Sequence, residues 1–311
     1  LAEKSSALAH VSQNKYEYKE RTLGVMPLYH TMGIRLLLSM CIVNGCFICQ
    51  SNFDSDKALD LIEKEKVTSL YLVPTLYHDL ITNIKFSKKI VKKVRKLGFA
   101  GAPMSNHLIR KLNNYFNPDI FVNHYGSSEI YTFTYCENAA EKPGSAGKPG
   151  INQMIRIIDI NSLDISQTLP AGIEGKIIAS MESSESFKNY WNRPDADKES
   201  IVDGWYITGD LGYFDEEGDL FVTGRLDDMI ISGGENILPV EVENILSTLF
   251  YSIIYIFSGS AVTSIYKDDS FWLIVNGNGG FVGHYIKEFI YSFNGSIDQN
   301  IIFFLLLSLT I

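Results

Sequence analysis

The stretch VRKLGFAGAPMSNHLIRKLNNYFNPDIFVNHYGSSE, residues 94–129, decides the fold. Within it one pattern occurs twice, because an apolar run leads into a glycine-containing polar loop after residue 99 and again after residue 125. Short apolar runs that end in such loops predict buried strands. In open parallel sheets, ligands bind at the carboxyl ends of the strands. The two loops therefore predict a ligand site at one edge of a sheet.

The chain before this stretch alternates in the same way. Helical patterns (ALAHVSQNKYEY, IRLLLSMCIVNG, DSDKALDLIEKEK) alternate with strand patterns (TLGVMPLYH, CFICQ, VTSLYLVP). Asp54 is predicted to cap the third helix. Residues 1–129 are thus predicted to form an α/β subdomain, a doubly wound and mostly parallel sheet with helices on both faces. His30, residues 100–103 and His124–Glu129 would share one crevice.

The composition changes after residue 129. Glycine and proline become frequent, and the strand patterns are short (MIRIID, GKIIAS, WYITGD, LFVTGR). Residues 130–224 are therefore predicted to form a small antiparallel sheet or barrel. Residues 225–249 begin another segment, with a DMIIS strand, a Gly-Gly turn and a helix capped near Pro239. Residues 250–311 form an atypical tail.

Composition and charge exclude several classes of protein. The net charge of −9 argues against a nucleic-acid partner, because a phosphate-binding face needs clustered lysine and arginine. The lysine-rich residues 85–96 are expected to form a solvated helix face. The longest apolar run, IIFFLLLSLTI at residues 301–311, is too short to span a bilayer.

Four cysteines are too few for a disulfide framework in a chain of 311 residues. Cys46 and Cys49 form a C-x-x-C within the apolar run CFIC. A second pair and a nearby histidine are both missing, so we expect buried strand cysteines rather than a metal site. A reducing, cytoplasmic location follows from this cysteine usage.

Several polar motifs suit a nucleotide. YGSSE, residues 125–129, offers hydroxyls and backbone N–H groups for a phosphate and a carboxylate, Glu129, for Mg²⁺. Asp210 suits a vicinal diol, and Arg225 a phosphate or ribose. Taken singly, these motifs have simpler explanations: a capped polar loop for YGSSE, a tight turn for FAGAPMS and a structural histidine for His30.

The order of the motifs is more specific than any one of them. PLYHTMG, LVPTLYHDL, GFAGAPMS, NHYGSSE, GSAGKPG, NYWNRPDA, DGWYITGDLG and GRLDDMIISGGENILPVEVE follow one another along the chain. Together they resemble the adenylate-forming (AMP-binding) acyl-CoA synthetase superfamily over residues 5–248, most closely aryl-CoA ligases such as 4-chlorobenzoate-CoA ligase. The resemblance implies an acid–thiol ligase that joins a small carboxylic acid to AMP, releases pyrophosphate and passes the acyl group to CoA. Its cofactors would be ATP/AMP, Mg²⁺ and CoA.

The resemblance also implies a role for individual residues. Gly101, Ala102 and Pro103 would line the adenine, Tyr125 would stack on it, and Asn123 would lie near it. Ser128 would contact the α-phosphate. Asp210 would bind the ribose hydroxyls, with Arg225 beside it. Glu129 would hold Mg²⁺, and His30, Glu129 and Arg225 would form the catalytic set. The acyl pocket would comprise His30, Thr31, Met32, Tyr71, Ala100, His124, Gly126, Tyr131 and Thr132. Asp227 would be the hinge to a mobile lid that starts within residues 225–249. The polar His124 and Tyr131 favour a hydroxyl- or amino-bearing benzoate-type acid.

Two features of the family have no counterpart in these residues, namely its Ser/Thr/Gly-rich phosphate loop and its C-terminal catalytic lysine. We therefore expect this chain to form acyl-AMP poorly, and a non-catalytic ligand-binding or decayed remnant is the alternative. Gly277, Gly280 and Gly283 form a G-x-x-G-x-x-G that resembles the start of an extended short-chain dehydrogenase. Coincidence or a fusion remnant explains that motif better, because the rest of such a domain is missing.

Overall fold

In the computed structural model of the protein, the structure describes residues 1–151, 153–162, 164–228, 230–232, 235–237, 245–246 and 248–257. The chain divides into two compact units, Leu1–Asp228 and Met229–Ile311. Throughout the described residues, every helix is too short or too polar to cross a membrane.

The first unit is built on a seven-stranded sheet. Its strands are β1 (Arg21–Gly24), β2 (Cys46–Cys49), β3 (Ser69–Leu72), β4 (Lys96–Phe99), β5 (Ile120–Tyr125), β6 (Thr134–Cys136) and β7 (Lys148–Pro149). They lie in the order β2-β1-β3-β4-β5-β6-β7. The pairs among β1 to β5 are parallel, whereas β6 and β7 join antiparallel. The predicted α/β fold with a mostly parallel sheet is confirmed.

Five helices alternate with the parallel strands of this sheet along the chain. They are α1 (Ala2–Gln13), α2 (Thr31–Ile42), α3 (Ser55–Lys64), α4 (Pro74–Thr82) and α5 (Asn106–Phe116). Asp54 caps α3 as predicted, since its Oδ1 accepts a hydrogen bond from the Lys57 N–H at 2.8 Å. Pro74 occupies the first turn of α4, where its missing N–H costs nothing.

Successive side chains of a strand point to opposite faces of a sheet. Leu70 and Leu72 of β3 belong to an apolar cluster with α3, α4 and α5. Tyr71, between them, belongs to a second cluster with Met32 and Leu36 of α2. Both faces of the sheet are therefore covered by helices, which is what a doubly wound fold requires.

A second, antiparallel sheet completes the first unit. It contains β8 (Ile155–Ile158), β9 (Gly175–Ser180), β10 (Ile201–Val202), β11 (Trp205–Phe214) and β12 (Leu220–Arg225), and α6 (Pro194–Ser200) precedes β10. β12 pairs with β11, and the remaining order is β10-β11-β9-β8. The predicted short antiparallel strands are confirmed. The loop before β7 joins the two sheets, because Leu220 exchanges 2.7 Å backbone hydrogen bonds with Ala146 and Gly147.

Two expectations from the sequence are wrong. Cys46 and Cys49 do lie on a strand, but Cys46 is half-buried and Cys49 is exposed, because β2 is the first strand of the sheet and has one neighbouring strand. The lysine-rich residues 85–96 contain a single 3₁₀ turn, Ile90–Lys93, rather than a helix. Its lysines Lys92 and Lys93 are nevertheless exposed, so this surface is solvated as expected.

In the second unit, β13 (Ile230–Ser232) pairs antiparallel with β14 (Glu235–Ile237). This confirms the strand predicted from DMIIS. Residues 245–246 and 248–257 are helical. The predicted Gly-Gly turn, the helix cap near Pro239 and the glycine motif at residues 277–283 lie outside the described residues.

Candidate functional site

The polar loops at the ends of β1, β4 and β5 surround a cavity of about 150 Å³. It is lined by His30, Thr31, Met32, Arg35, Ala100, Gly101, His124, Gly126, Ser127, Ser128 and Tyr131. The crevice predicted from the sequence therefore exists, and most of the predicted acyl-pocket residues line it. Arg35 was not predicted at the site, and Ser127 was predicted only as part of the crevice residues His124–Glu129.

His30 begins α2 and also lines the cavity. Its Nδ1 accepts a hydrogen bond from the Met32 N–H at 3.2 Å, which caps the helix. In the neutral ring the proton must then be on Nε2, so that nitrogen is a donor. Gly33 lets the first turn approach the preceding loop, because a Cβ there would lie 2.2 Å from the Pro27 carbonyl oxygen.

Ser127 shapes the loop after β5. Its hydroxyl accepts from the N–H groups of Glu129 at 3.2 Å and Ile130 at 3.3 Å. Gly126 is needed for the same turn, since a Cβ would lie 2.2 Å from the Tyr131 carbonyl oxygen. Ser128, which is exposed, forms no hydrogen bond with any other residue that the structure describes. Its hydroxyl is thus available to a ligand, while that of Ser127 is used by the protein.

Glu129 is half-buried, and its Oε1 accepts a hydrogen bond from the Tyr190 hydroxyl at 2.8 Å. Burial raises the pKa of Tyr190, which keeps the hydroxyl protonated as a donor. Groups of three or more potential metal ligands are not found among the described residues. One carboxylate nevertheless fits Mg²⁺, which usually combines one or two carboxylates with substrate phosphates.

Asp210 sits on an irregularity of β11. The pairing with β9 changes register between Ile207 and Leu211, and Gly209 has φ +78°. Thr208 fixes this bulge, since its hydroxyl donates to the Ile177 carbonyl at 2.8 Å and accepts from the Asp210 N–H at 3.0 Å. Bulges next to functional sites re-aim a side chain.

The Asp210 carboxylate joins both sheets at the site. Oδ2 accepts from the Tyr125 hydroxyl of β5 at 2.5 Å, and Oδ1 lies 3.4 Å from Nη1 of Arg225 on β12. Burial raises the pKa of Asp210, while the hydrogen bond from Tyr125 and the charge of Arg225 lower it. Burial and the Asp210 carboxylate together raise the pKa of Tyr125, so its hydroxyl remains a donor. Three residues predicted at the nucleotide thus meet in one cluster.

Other residues predicted at the nucleotide are placed differently. Gly101 lines the cavity with φ +84°, and Ala102 and Pro103 are exposed beside it. The Asn123 side-chain amide donates to the Ser145 carbonyl at 2.8 Å, which ties β5 to the loop before β7. Asp227 lies in the 3₁₀ turn Leu226–Asp228 at the end of the first unit. Its role as a hinge remains a prediction.

Arg35 of α2 is 3% exposed, and sequence reasoning missed it. Its Nη1 donates to Thr132 Oγ1 at 2.9 Å and to the Tyr131 carbonyl at 3.4 Å, and Nη2 donates to the Tyr71 hydroxyl. Tyr71 and Thr132 were predicted to line the acyl pocket. Both are fully buried and bind Arg35 instead of lining the cavity.

Two buried histidines lie near Arg35. The ring of His10 lies 4.5 Å from that of Tyr71 and 5.1 Å from that of His124, and Gln13 Oε1 lies 3.2 Å from His124 Nε2. Burial holds the pKa of both histidines well below its ordinary value, and the charge of Arg35 lowers it further. Both rings are therefore neutral at neutral pH, and His124 presents an uncharged polar surface to the cavity.

The same region of the chain matches a known protein family. The family described as AMP-binding enzyme matches residues 3–191. A 4-chlorobenzoate–CoA ligase from Arthrobacter is 34% identical over 226 residues, which are 72% of this chain and 42% of that protein. A 2-succinylbenzoate–CoA ligase from Bacillus cytotoxicus is 32% identical over 228 residues, 72% of this chain and 45% of the relative. The chain thus spans less than half the length of these relatives.

Solved structures agree with this assignment. The o-succinylbenzoate CoA synthetase of Bacillus subtilis, in complex with the acyl-adenylate intermediate OSB-AMP, superimposes with a TM-score of 0.69 at 29% identity, covering 79% of this chain and 49% of that one. The ATP-bound MatB of Rhodopseudomonas palustris gives a TM-score of 0.69 at 29% identity, covering 77% of this chain and 47% of that one.

Proposed function

Because the chain belongs to the AMP-binding enzyme family, we propose that this protein activates a small carboxylic acid with ATP as an acyl-AMP and then transfers the acyl group to CoA. The observation that carries the proposal is the Tyr125–Asp210–Arg225 cluster, which lies on strands of both sheets and follows the bulge in β11. A carboxylate has two oxygens, so Asp210 can accept from both hydroxyls of a ribose.

The remaining residues suit the charges of the first half-reaction. Ser128 would donate to the α-phosphate, and Glu129 would hold Mg²⁺ together with the nucleotide phosphates. The bound Mg²⁺ would supply positive charge where phosphate charge develops. His30 would donate from Nε2 to the acid, because its Nδ1 is occupied by the cap of α2. Gly101, Ala102, Pro103 and Asn123 would border the base.

The cavity favours a small acid. Its volume of about 150 Å³ is below the range of roughly 300–1,000 Å³ that is typical of drug-sized ligand sites. His124 and Tyr131 give it polar walls, and these support a polar, benzoate-type acid. CoA is proposed as the acyl acceptor on the strength of the named ligases among the relatives.

Binding to this chain tests the proposal most directly. Calorimetry should show that AMP binds, and that a non-hydrolysable sulfamoyl analogue of a benzoyl-adenylate binds more tightly because it also fills the cavity. GMP is the matched control, since it shares the ribose and phosphate but changes the base. A folded chain that binds neither AMP nor the analogue would contradict the proposal.

We also propose a cytoplasmic location. All four cysteines are free thiols in the structure, and free thiols persist in reducing compartments. Fractionation of cells that express the natural protein tests this directly, and recovery from an oxidising compartment would contradict it.

A further inference from the structure

The cavity wall carries a positive charge that the described part of the protein leaves unpaired. Arg35 is 3% exposed and lines the cavity. Its guanidinium donates only to neutral oxygens, those of Thr132, Tyr131 and Tyr71. Buried charges in proteins are normally paired, because an isolated one loses its hydration without compensation.

The guanidinium also has unused donor capacity. Its Nε is buried and has no hydrogen-bond partner. The contact from Nη1 to the Tyr131 carbonyl is long, at 3.4 Å, and so is readily exchanged for a better acceptor. An arginine presents its donors as a planar fork, which matches the two oxygens of a carboxylate.

The described groups around Arg35 do not form a direct ion pair with it. His10 and His124 are neutral, and Tyr71 is protonated because burial raises its pKa. One buried carboxyl group, Glu185, does feel this charge: burial raises the pKa of Glu185, and the Arg35 guanidinium lowers it. Within the described residues, however, the hydrogen bonds of Arg35 go to Thr132, Tyr131 and Tyr71 and not to Glu185. A ligand carboxylate in the cavity would give Arg35 an anion in direct contact.

We infer that the acid is a small dicarboxylate, and that Arg35 binds the carboxylate that does not react with ATP. This inference rests on the proposed function, because it specifies the class of acid for the same cavity. The reacting carboxylate would remain near His30 and Ser128. Arg35 is then a specificity-determining residue, which selects a doubly charged acid over one with an apolar end.

Matched pairs of acids test the inference by direct binding. Terephthalate and 4-methylbenzoate share a ring and one carboxylate and differ at the para position, and succinate and butyrate form an aliphatic pair. Titration calorimetry on the 311-residue chain in the presence of AMP should show one of the diacids binding roughly 10- to 100-fold more tightly than its partner, the scale of hydrogen bonds to a charged group.

The variants Arg35→Met and Arg110→Met separate a specific from a general charge effect. Arg110 is exposed on α5 and outside the cavity, so its removal changes the net charge equally. Arg35→Met should abolish the preference for the diacid, and Arg110→Met should leave it unchanged. A preference that survives in folded Arg35→Met would overturn the assignment to Arg35.

If Arg35→Met does not fold, the titrations of the acid pairs on the unaltered chain still test the inference. Equal binding within both pairs, or a preference for both monoacids, would overturn the inference while AMP binding shows that the proposed function stands. If the unaltered chain does not bind AMP at all, that result would instead count against the proposed function. The two failures are therefore distinguishable in one set of titrations.

Discussion

At the scale of single residues, the site is held together by side chains that also bind one another. Tyr125 and Arg225 both contact the Asp210 carboxylate. The hydroxyls of a bound ribose would therefore have to replace or share these contacts. The carboxylate is therefore oriented before the nucleotide arrives. Its side chain is only 15% exposed, which strengthens hydrogen bonds to it.

Asp210→Ala should weaken AMP binding by about 1–3 kcal/mol, the range for hydrogen bonds to a charged group. Glu216→Ala is the matched control, because Glu216 is an exposed carboxylate on the same β11–β12 hairpin. Calorimetry on both variants checks the expectation. Equal AMP affinity in Asp210→Ala and the unaltered chain would refute the assignment.

The sequence predicted which side chains lie together where a motif carries them, and it missed a contact that only the fold creates. The cluster at Asp210 was predictable, because its members lie in ordered motifs. Arg35 was not recognised, although a lone arginine in the apolar run IRLLLSMC is a signal that could have been used. Its partners Tyr71 and Thr132 come from distant parts of the chain.

At the scale of elements, the bulge in β11 positions Asp210, and Gly209 makes the bulge possible. Gly209 has φ +78°, and a Cβ there would lie 3.0 Å from Arg225 Nη2. Gly218, in the turn of the same hairpin, has φ +79° and no atom within 4 Å of a Cβ. The two glycines share a backbone conformation and differ in their surroundings.

Gly209→Ala and Gly218→Ala should each lower the free energy of unfolding by about 1–2 kcal/mol, the cost of a left-handed residue with a Cβ. Only Gly209→Ala should also weaken AMP binding, because it displaces Arg225. Urea denaturation and calorimetry measure the two effects separately. Similar losses of AMP affinity in both variants would show that the bulge has no special role.

The contact of α1 with β3 and β5 should make stability depend on pH. The folded pKa of His10 and His124 lies below the ordinary value of 6.5, so their contribution is present above pH 6.5. It is lost as the pH falls from there towards the folded pKa, because the unfolded chain binds the protons first. Lowering the pH from about 7.5 to about 5.5 should therefore lower the free energy of unfolding, and each of the two histidines should contribute to that loss.

Comparing variants isolates this effect from other titrating groups. His10→Gln should reduce the pH-dependent loss by the contribution of one histidine. His107→Gln, at an exposed position on α5, should leave the loss unchanged. Urea denaturation at both pH values gives the two differences. An identical pH dependence in His10→Gln and the unaltered chain would mean that folding does not lower the pKa of His10.

Elements were predictable from periodicity and caps, and their surroundings were not. Asp54 was found as a cap because the hydrogen bond is local, three residues along the chain. The exposure of Cys49 depends on β2 having a single neighbouring strand, and that is a property of strand order. The apolar letters of CFIC contain no information on that order.

At the scale of the whole molecule, every described residue proposed for binding lies in the unit Leu1–Asp228. The two sheets of this unit are tied by backbone hydrogen bonds at Ala146, Gly147 and Leu220. The cavity borders the first sheet, and Asp210 belongs to the second. Ligand affinity should therefore depend on the integrity of this unit.

A chain of residues 1–228 should fold and bind AMP within about threefold of the affinity of residues 1–311, a difference of roughly 0.6 kcal/mol. Circular dichroism checks the fold, and calorimetry checks the affinity. A folded 1–228 chain with much weaker AMP binding would show that the second unit supplies part of the site.

The dual use of His30 has an evolutionary consequence. One ring nitrogen starts α2, and the other belongs to the cavity. Asparagine and aspartate are alternative helix caps, but neither presents a second donor at the same reach. A library of all substitutions at residues 30–32, selected for ligand binding, should therefore tolerate exchange at Thr31 and Met32 far more readily than at His30. New acid specificities would then arise by changing the neighbours of His30 and keeping the histidine.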